Sequence, residues 1–455
     1  MNKILKNMYK GIFSHKTQLI ALIVLVCIGV SFAIGVSSSI QVISKKYDEM
    51  VKESTPHQFI MDISNLSDVS DENDKNHQIH DESHLLKNIE TYLNPFFTSS
   101  NVQEQYTVKD IHELYTGSVS GDKGANSVFK VEPYQATGVD KTIIVKTMID
   151  PSKMQADEIY ISPFYAQARH INLGDSITVG QDKPYKVVGY AVSYDFLFMQ
   201  VDKLNQIPDG QNEAMVYCSP NAFYYNPTDL ADGSRFATTS NQDREIYIMG
   251  ATNQKNFDFR NFLQNKIKNP AFNNSTGILN VTGSGFNYSF NIYNGNDPKF
   301  LFNNRSNTFG NIIDDTKSIM IVLMIILTIV TWFIITIISK KRLDQDSQHI
   351  GIFIANGYRK LEIILSYVGY SFISTIVSSV LAIFVSIGVY YFITQLFLSL
   401  FNLPIFGTPW DFGEIAIYSV ISAIIAIIIT CSITFLFLWF KLRNVTTIEL
   451  VKREV

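Results

Sequence analysis

Four long stretches of this chain are almost free of charge, and the sequence between them is polar. Thr17 to Ile40 carries no Asp, Glu, Lys or Arg, and neither does Ser318 to Ser339. Leu361 to Phe401 has one charge, Glu362, near its start, and Glu414 to Phe440 has one at its first position. A helix needs about 20 apolar residues to cross the hydrocarbon of a bilayer. Each stretch meets that length. None places a Lys or Arg at its centre, where insertion would cost about 2.5–3.5 kcal/mol. The pattern predicts transmembrane helices at 17–40, 318–339, 361–401 and 414–440. The third exceeds one bilayer thickness, so its first two turns are expected at the interface or beyond it. A soluble protein with four buried helices would need the same charge-free lengths by coincidence. A cleaved signal peptide also starts with a positive flank, but its apolar core is about 7–15 residues long. The first stretch is longer and reads as a retained anchor.

The polar middle, 41–317, reads as a large α+β domain with stalk helices. Lys45 to Glu53 continue the first helix as a stalk, and Pro56 ends it. HQFIMDIS (57–64), SVFKVEPYQATGV, KTIIVKTMI and REIYIMGA read as strands. Asp157 to Ser193 reads as a strand, a short helix and a hairpin, with Gly174-Asp175 as a turn and Asp182 to Pro184 reversing the chain. NFDFRNFLQNKIKN reads as a further helix. Two subdomains are expected.

Candidate chemistry in this middle is sparse. His77, His80 and His84 would share one face of a helix, which makes a metal site conceivable. The same acidic, polar segment also reads as a solvated loop, and no metal is assigned. No catalytic grouping of Ser, His, Asp or Cys emerges. The chain has no G-x-x-x-x-G-K-[ST] phosphate loop. It is therefore expected to be non-catalytic, with no cofactor.

Composition supports the membrane reading. Charged residues are 17%, below the usual quarter. The net charge of -4 is too small to suggest nucleic acid. Cys27, Cys218 and Cys431 are too scattered for a disulfide framework. Met1 to Lys16 carries four lysines and an apolar repeat at Ile4, Met8 and Ile12. It reads as a basic amphipathic helix on an anionic leaflet, or as the positive flank of the first span. The 340–360 and 441–455 segments are also basic, whereas the 402–413 turn has no Lys or Arg. By the positive-inside rule both termini and 340–360 lie in the cytoplasm, and 41–317 and 402–413 lie outside. Ser371, Ser378, Ser379, Gly369 and Gly388 are expected to serve helix–helix packing.

The segment 340–360, KKRLDQDSQHIGIFIANGYRK, sits between the second and third spans. Ile350, Ile352, Phe353 and Ile354 form an apolar patch closed by Gly357. Such a patch can dock on a cytoplasmic partner or pack against the protein's own helix ends. HIGIFIANGYRKLEI resembles the signature loop of the FtsX-like permease family, the membrane subunits of MacB-type ABC systems. Ile350, Gly351, Ile352, Ala355 and Gly357 stand in the matching places. His349 stands where the family usually has an acidic residue, and Asn356 where an apolar one is common. INLGDSITVGQDKPYKVVGY is similar to a hairpin of the MacB-like periplasmic core domain, and RNVTTIELVKREV resembles the family's closing segment.

The resemblance implies a multi-pass protein of a bacterial plasma membrane, with a MacB-like outer domain of two subdomains. It implies a cytoplasmic ABC ATPase docked on Ile350, Gly351, Ile352, Phe353, Ala355 and Gly357. It also implies a second permease subunit, identical or different, and contact with membrane lipid. ATP hydrolysis is then expected in the separate ATPase chain. The expected role is mechanotransmission, for export or extraction of peptides, lipoproteins or amphiphilic drugs. The alternative is a transmembrane regulator that activates an extracellular cell-wall hydrolase or senses antimicrobial peptides.

Overall fold

In strands β5 (Glu158–Ile161) and β8 (Glu213–Cys218), every residue is buried. Alternate side chains of a strand face opposite sides. Val216 and Cys218 enter one hydrophobic cluster with Ile159, Ile161, Tyr165 and Val187. Met215 and Tyr217 enter another with Tyr160, Val188 and Met249. The sheet is thus covered on both faces here. A computed structural model describes residues 16–62, 105–115, 127–179, 184–198, 208–220, 244–252, 254, 257–266, 271–283, 286–295 and 301–443. The expected amphipathic helix at 1–16, His77, His80 and His84, and the turn residues 182 and 183 lie essentially outside them.

The described strands form one 12-stranded mixed sheet. The remaining strands are β1 (Phe59–Asp62), β2 (Gln105–Tyr115), β3 (Val128–Pro133), β4 (Ile143–Thr147), β6 (Ser176–Thr178), β7 (Pro184–Val192), β9 (Arg244–Ala251), β10 (Phe272–Asn273), β11 (Ile278–Gly283) and β12 (Phe286–Asn294). Their order is β10-β11-β12-β1-β9-β2-β3-β8-β5-β7-β4, with β6 on β7. The β3–β8 and β5–β7 pairs are parallel. The expected pair of subdomains is not seen as two sheets. The reason is β2, which pairs with β9 from Gln105 to His112 and with β3 from His112 to Tyr115, splicing both halves together. The expected helix at 256–269 is, within the described residues, one α turn at Phe259–Asn261 and a wider π segment to Lys266. Asp258 caps it through the Asn261 N–H.

Two compact units emerge. The sheet-bearing unit comprises Lys45–Ile312 and, unexpectedly, Leu396–Pro409. It holds α2 (Pro163–Ala168). The helical unit comprises the chain up to Ser44, Ile313–Gln395 and everything from Trp410. The long helices are α1 (Lys16–Ser54), α3 (Leu301–Ala355), α4 (Lys360–Leu400) and α5 (Phe412–Arg443). All four are long and apolar enough to cross a membrane.

Two boundaries differ from expectation. Residues 340–360 are not a separate loop, because α3 runs unbroken to Ala355. The sheet-bearing unit ends at Ile312 rather than 317, within α3, which starts at Leu301 as the second stalk. No proline interrupts 301–355, and 340–349 is rich in good helix formers, so nothing stops the helix before Asn356-Gly357. The α1 stalk ends at Ser54, just before Pro56, as expected.

Within the helical unit, α1 buries Leu22, Val26, Val30 and Ile34, a four-residue repeat along one stripe. Ser371 and Thr375 of α4 face Thr434 and Thr430 of α5, each hydroxyl pair 2.9 Å apart. Ser378 and Ser379 are buried as expected. Gly369 and Gly388 are not at close contacts, since an added Cβ would meet nothing within 4 Å. Gly35 holds that role instead. A Cβ there would lie 2.6 Å from that of Val389 and 2.9 Å from the Ser386 carbonyl oxygen.

Candidate functional site

The turn between α3 and α4 is closed by its own backbone. Gly357 N–H donates to the Ile354 carbonyl at 3.0 Å and Tyr358 N–H to the Phe353 carbonyl at 3.2 Å. Gly357 has φ of 88°. These two bonds around a left-handed glycine make a Schellman cap, which satisfies carbonyls that a helix end leaves orphaned. The hydrophobic contact that accompanies such caps is also present. The rings of Phe353 and Tyr358 meet edge to face, 5.8 Å apart. The start of α4 is capped in return. Glu362 accepts from the Arg359 N–H at 3.3 Å, as the acid of a capping box does. Lys360 Nζ donates to the carbonyl of Leu442 at 2.8 Å, at the C-terminal end of α5. A cation there also suits the negative end of that helix dipole.

The six residues singled out in the sequence are brought onto this one segment, but they face different ways. Ile350 is 1% exposed and packs with Leu343, Ile363, Ile364, Tyr367, Leu438 and Leu442. Gly351 is also buried, and Phe353 is half-buried. Ile352 is 52% exposed, and Ala355 and Gly357 are exposed with it. The patch is therefore divided: Ile350 packs on the protein's own helix ends, whereas Ile352, Ala355 and Gly357 remain available. Sequence reading missed Tyr358, Lys360 and Glu362. The spacing from Arg359 to Glu362 was the available signal for the last.

A second connection, between α4 and α5, was expected to be a plain turn at 402–413. It is built into the sheet-bearing unit. Asn402 N–H donates to the Leu197 carbonyl at 2.7 Å, and Phe401 forms a β-bridge with Phe198. Gly407 N–H donates to Gln167 Oε1 at 3.2 Å, and Phe406 stacks on Tyr190 at 4.4 Å. Phe401 also meets Phe309 of α3 at 4.6 Å, and Phe309 meets Tyr47 of α1 at 4.7 Å. Three long helices thus share one aromatic hub within this unit.

Beneath the loop lies a buried polar layer on one sheet face. Lys130, Glu132 and Asp195 are fully buried. Lys130 lies over the Phe196 ring, 5.5 Å from its centre. Tyr217 hydroxyl donates to Ser193 Oγ, and Asn402 Nδ2 approaches that hydroxyl at 3.5 Å. Burial, then the Glu132 carboxylate, push the Tyr217 hydroxyl well above its ordinary range. Burial likewise pushes the Cys218 thiol up. All three cysteines are free thiols. Among the described residues no group of three metal-ligand side chains comes together.

Residues 321–447 match a family model, the FtsX-like permease C-terminal region. The match spans most of α3, the capped turn, α4 and α5, and less than a third of the chain. No curated protein matches the chain.

Proposed function

We propose that this chain is the membrane permease subunit of a MacB/FtsX-type ABC system. In this reading a cytoplasmic ATPase docks on the α3–α4 turn, and two permease subunits pair in the membrane. ATP-driven closure of the ATPases moves the turn, and the long helices carry that motion to the sheet-bearing unit outside. The cargo class is peptides, lipoproteins or amphiphilic drugs, released or extracted at the outer leaflet. The permease need not pass cargo between its helices. Both termini are cytoplasmic, following the Lys/Arg distribution.

The observation that carries the reading is α3. It is one unbroken helix of 55 residues, ending at the capped turn inside the region similar to FtsX-like permeases. At 1.5 Å per residue it is roughly 80 Å long, far more than the ~30 Å of hydrocarbon. A connector that only crossed the bilayer needs no such length; a rod that transmits movement does. The exposed Ile352, beside Ala355 and Gly357, supplies an apolar anchor of the kind found at interface hot spots.

The test is affinity purification of the full chain in mild detergent. An ATPase is expected with the wild type and is lost with Ile352→Asp, while the melting temperature of the permease stays unchanged. Retention of the ATPase by Ile352→Asp sinks this docking site. Membrane sidedness is checked with single cysteines in a Cys27→Ser, Cys431→Ser background. Met148→Cys is expected to label in intact cells, and Ala355→Cys only after permeabilisation. Labelling of both from the same face contradicts the reading.

A further inference from the structure

We propose that Arg342 forms a binding site for the phosphate of an anionic phospholipid. This rests on the reading that α1, α3, α4 and α5 cross a membrane, but not on the ATPase.

Arg342 is the third residue after the apolar run of α3, yet it is only 6% exposed. Its guanidinium lies 3.8 Å from the centre of the Tyr370 ring and 5.0 Å from that of Tyr367. The acidic neighbour is Asp346, one helical turn on, whose Oδ2 is 3.7 Å from Arg342 Nε. That separation is too long for a hydrogen bond. Asp346 Oδ2 is instead bonded by the Tyr367 hydroxyl at 2.8 Å. Arg342 Nε and Nη1 have no hydrogen-bond partner among the described residues. Both belong to a side chain that lines a small cavity of about 20 Å³ together with Leu22, Ile338, Tyr370, Ser371 and Leu438.

A buried donor without a partner is costly, by about 1–3 kcal/mol and more when charged. Nε and Nη1 lie on different edges of the guanidinium, and each charged donor bonds an anionic phosphate oxygen more strongly than it bonds water. The cavity has room for about one water-sized group, so it admits one phosphate oxygen and leaves the rest of a headgroup outside. Leu22, Ile338 and Leu438 are apolar walls suited to the start of an acyl chain. Lys340 and Lys341, both exposed, immediately precede Arg342. Together with Arg342 they outnumber Asp344 and Asp346, which favours a lipid with net negative charge over a zwitterionic one. Basic pockets between membrane helices are suited to such headgroups.

The experiment uses the full chain in zwitterionic detergent, without any ATPase, titrated with phosphatidylglycerol or phosphatidylcholine and read by native mass spectrometry. One phosphatidylglycerol per chain is expected to be retained in preference to phosphatidylcholine. Arg342→Gln is expected to weaken that retention about tenfold, and the double change Lys340→Gln, Lys341→Gln less so. Equal retention of the two lipids by the wild type overturns the proposal, whether or not Arg342→Gln folds. So does wild-type retention by a folded Arg342→Gln. Inorganic phosphate is the third probe. If it displaces the bound phosphatidylglycerol at millimolar concentration, the site is one for a free anion and the lipid assignment fails. Loss of the ATPase in the purification above leaves this result standing, so the two readings fail separately.

Discussion

The two connections that flank α4 are built by opposite means. The one before it, Asn356 to Arg359, is sealed by bonds between residues a few positions apart, and its outer face is left exposed. The one after it, Phe401 to Asp411, is held by partners far away in the chain, among them Gln167, Tyr190, Leu197 and Phe309. The first is closed by its own backbone, with Lys360 reaching from its end to the carbonyls of α5. The second has little independent structure and takes its shape from the unit around it. The contrast teaches that a connection closed by local bonds keeps an exposed face, whereas one closed by distant partners is absorbed into the unit it joins.

The largest expected effect tests the second connection. Phe401 is fully buried among Phe198, Phe309 and Phe397. Phe401→Ala is expected to destabilise the sheet-bearing unit by about 3–5 kcal/mol. Maleimide labelling of Cys218, in a background without Cys27 and Cys431, reports it. The buried, poorly ionised thiol reacts slowly in the wild type and faster in the variant. Unchanged labelling and melting would show that the loop is merely laid against its surroundings.

Next comes the inward part of the first connection. Ile350→Ala is expected to cost about 2–5 kcal/mol, because it empties the cluster between Leu343, Ile363 and Leu442. Thermal unfolding in detergent measures it. An effect under 1 kcal/mol, with loss of the ATPase, would reverse the division between Ile350 and Ile352. The smallest effect is at Gly357. With φ of 88° but open space around its Cβ position, Gly357→Ala is expected to cost about 1–2 kcal/mol through backbone conformation alone. Melting again gives the figure, and a neutral Gly357→Ala would remove the Schellman cap from the account.

The same contrast explains what could be read in the sequence. The position of the turn was legible, since its glycine, flanking basic residues and apolar neighbours are local. The four long apolar helices were legible for a like reason: absence of charge over about 20 residues is a local property. The strands of β5, β7 and β9 were found from their apolar runs. Hidden were the facts that depend on distant partners. Nothing near Asn402 announces Leu197, and nothing near Gly35 announces Val389. The length of β2, which merges the two halves of the sheet, was also not readable from composition. At the helix boundary the error had a different source. The Lys340–Lys341–Arg342 triplet closes the apolar run and so predicts a loop, whereas charge does not by itself end a helix.

One further consequence follows from Lys360. Its ammonium group reaches across 82 positions to the last carbonyls of α5. The start of one helix is thereby latched to the finish of another. Whatever twists the turn must drag the end of α5 along or first break that latch, so a single grip steers two levers.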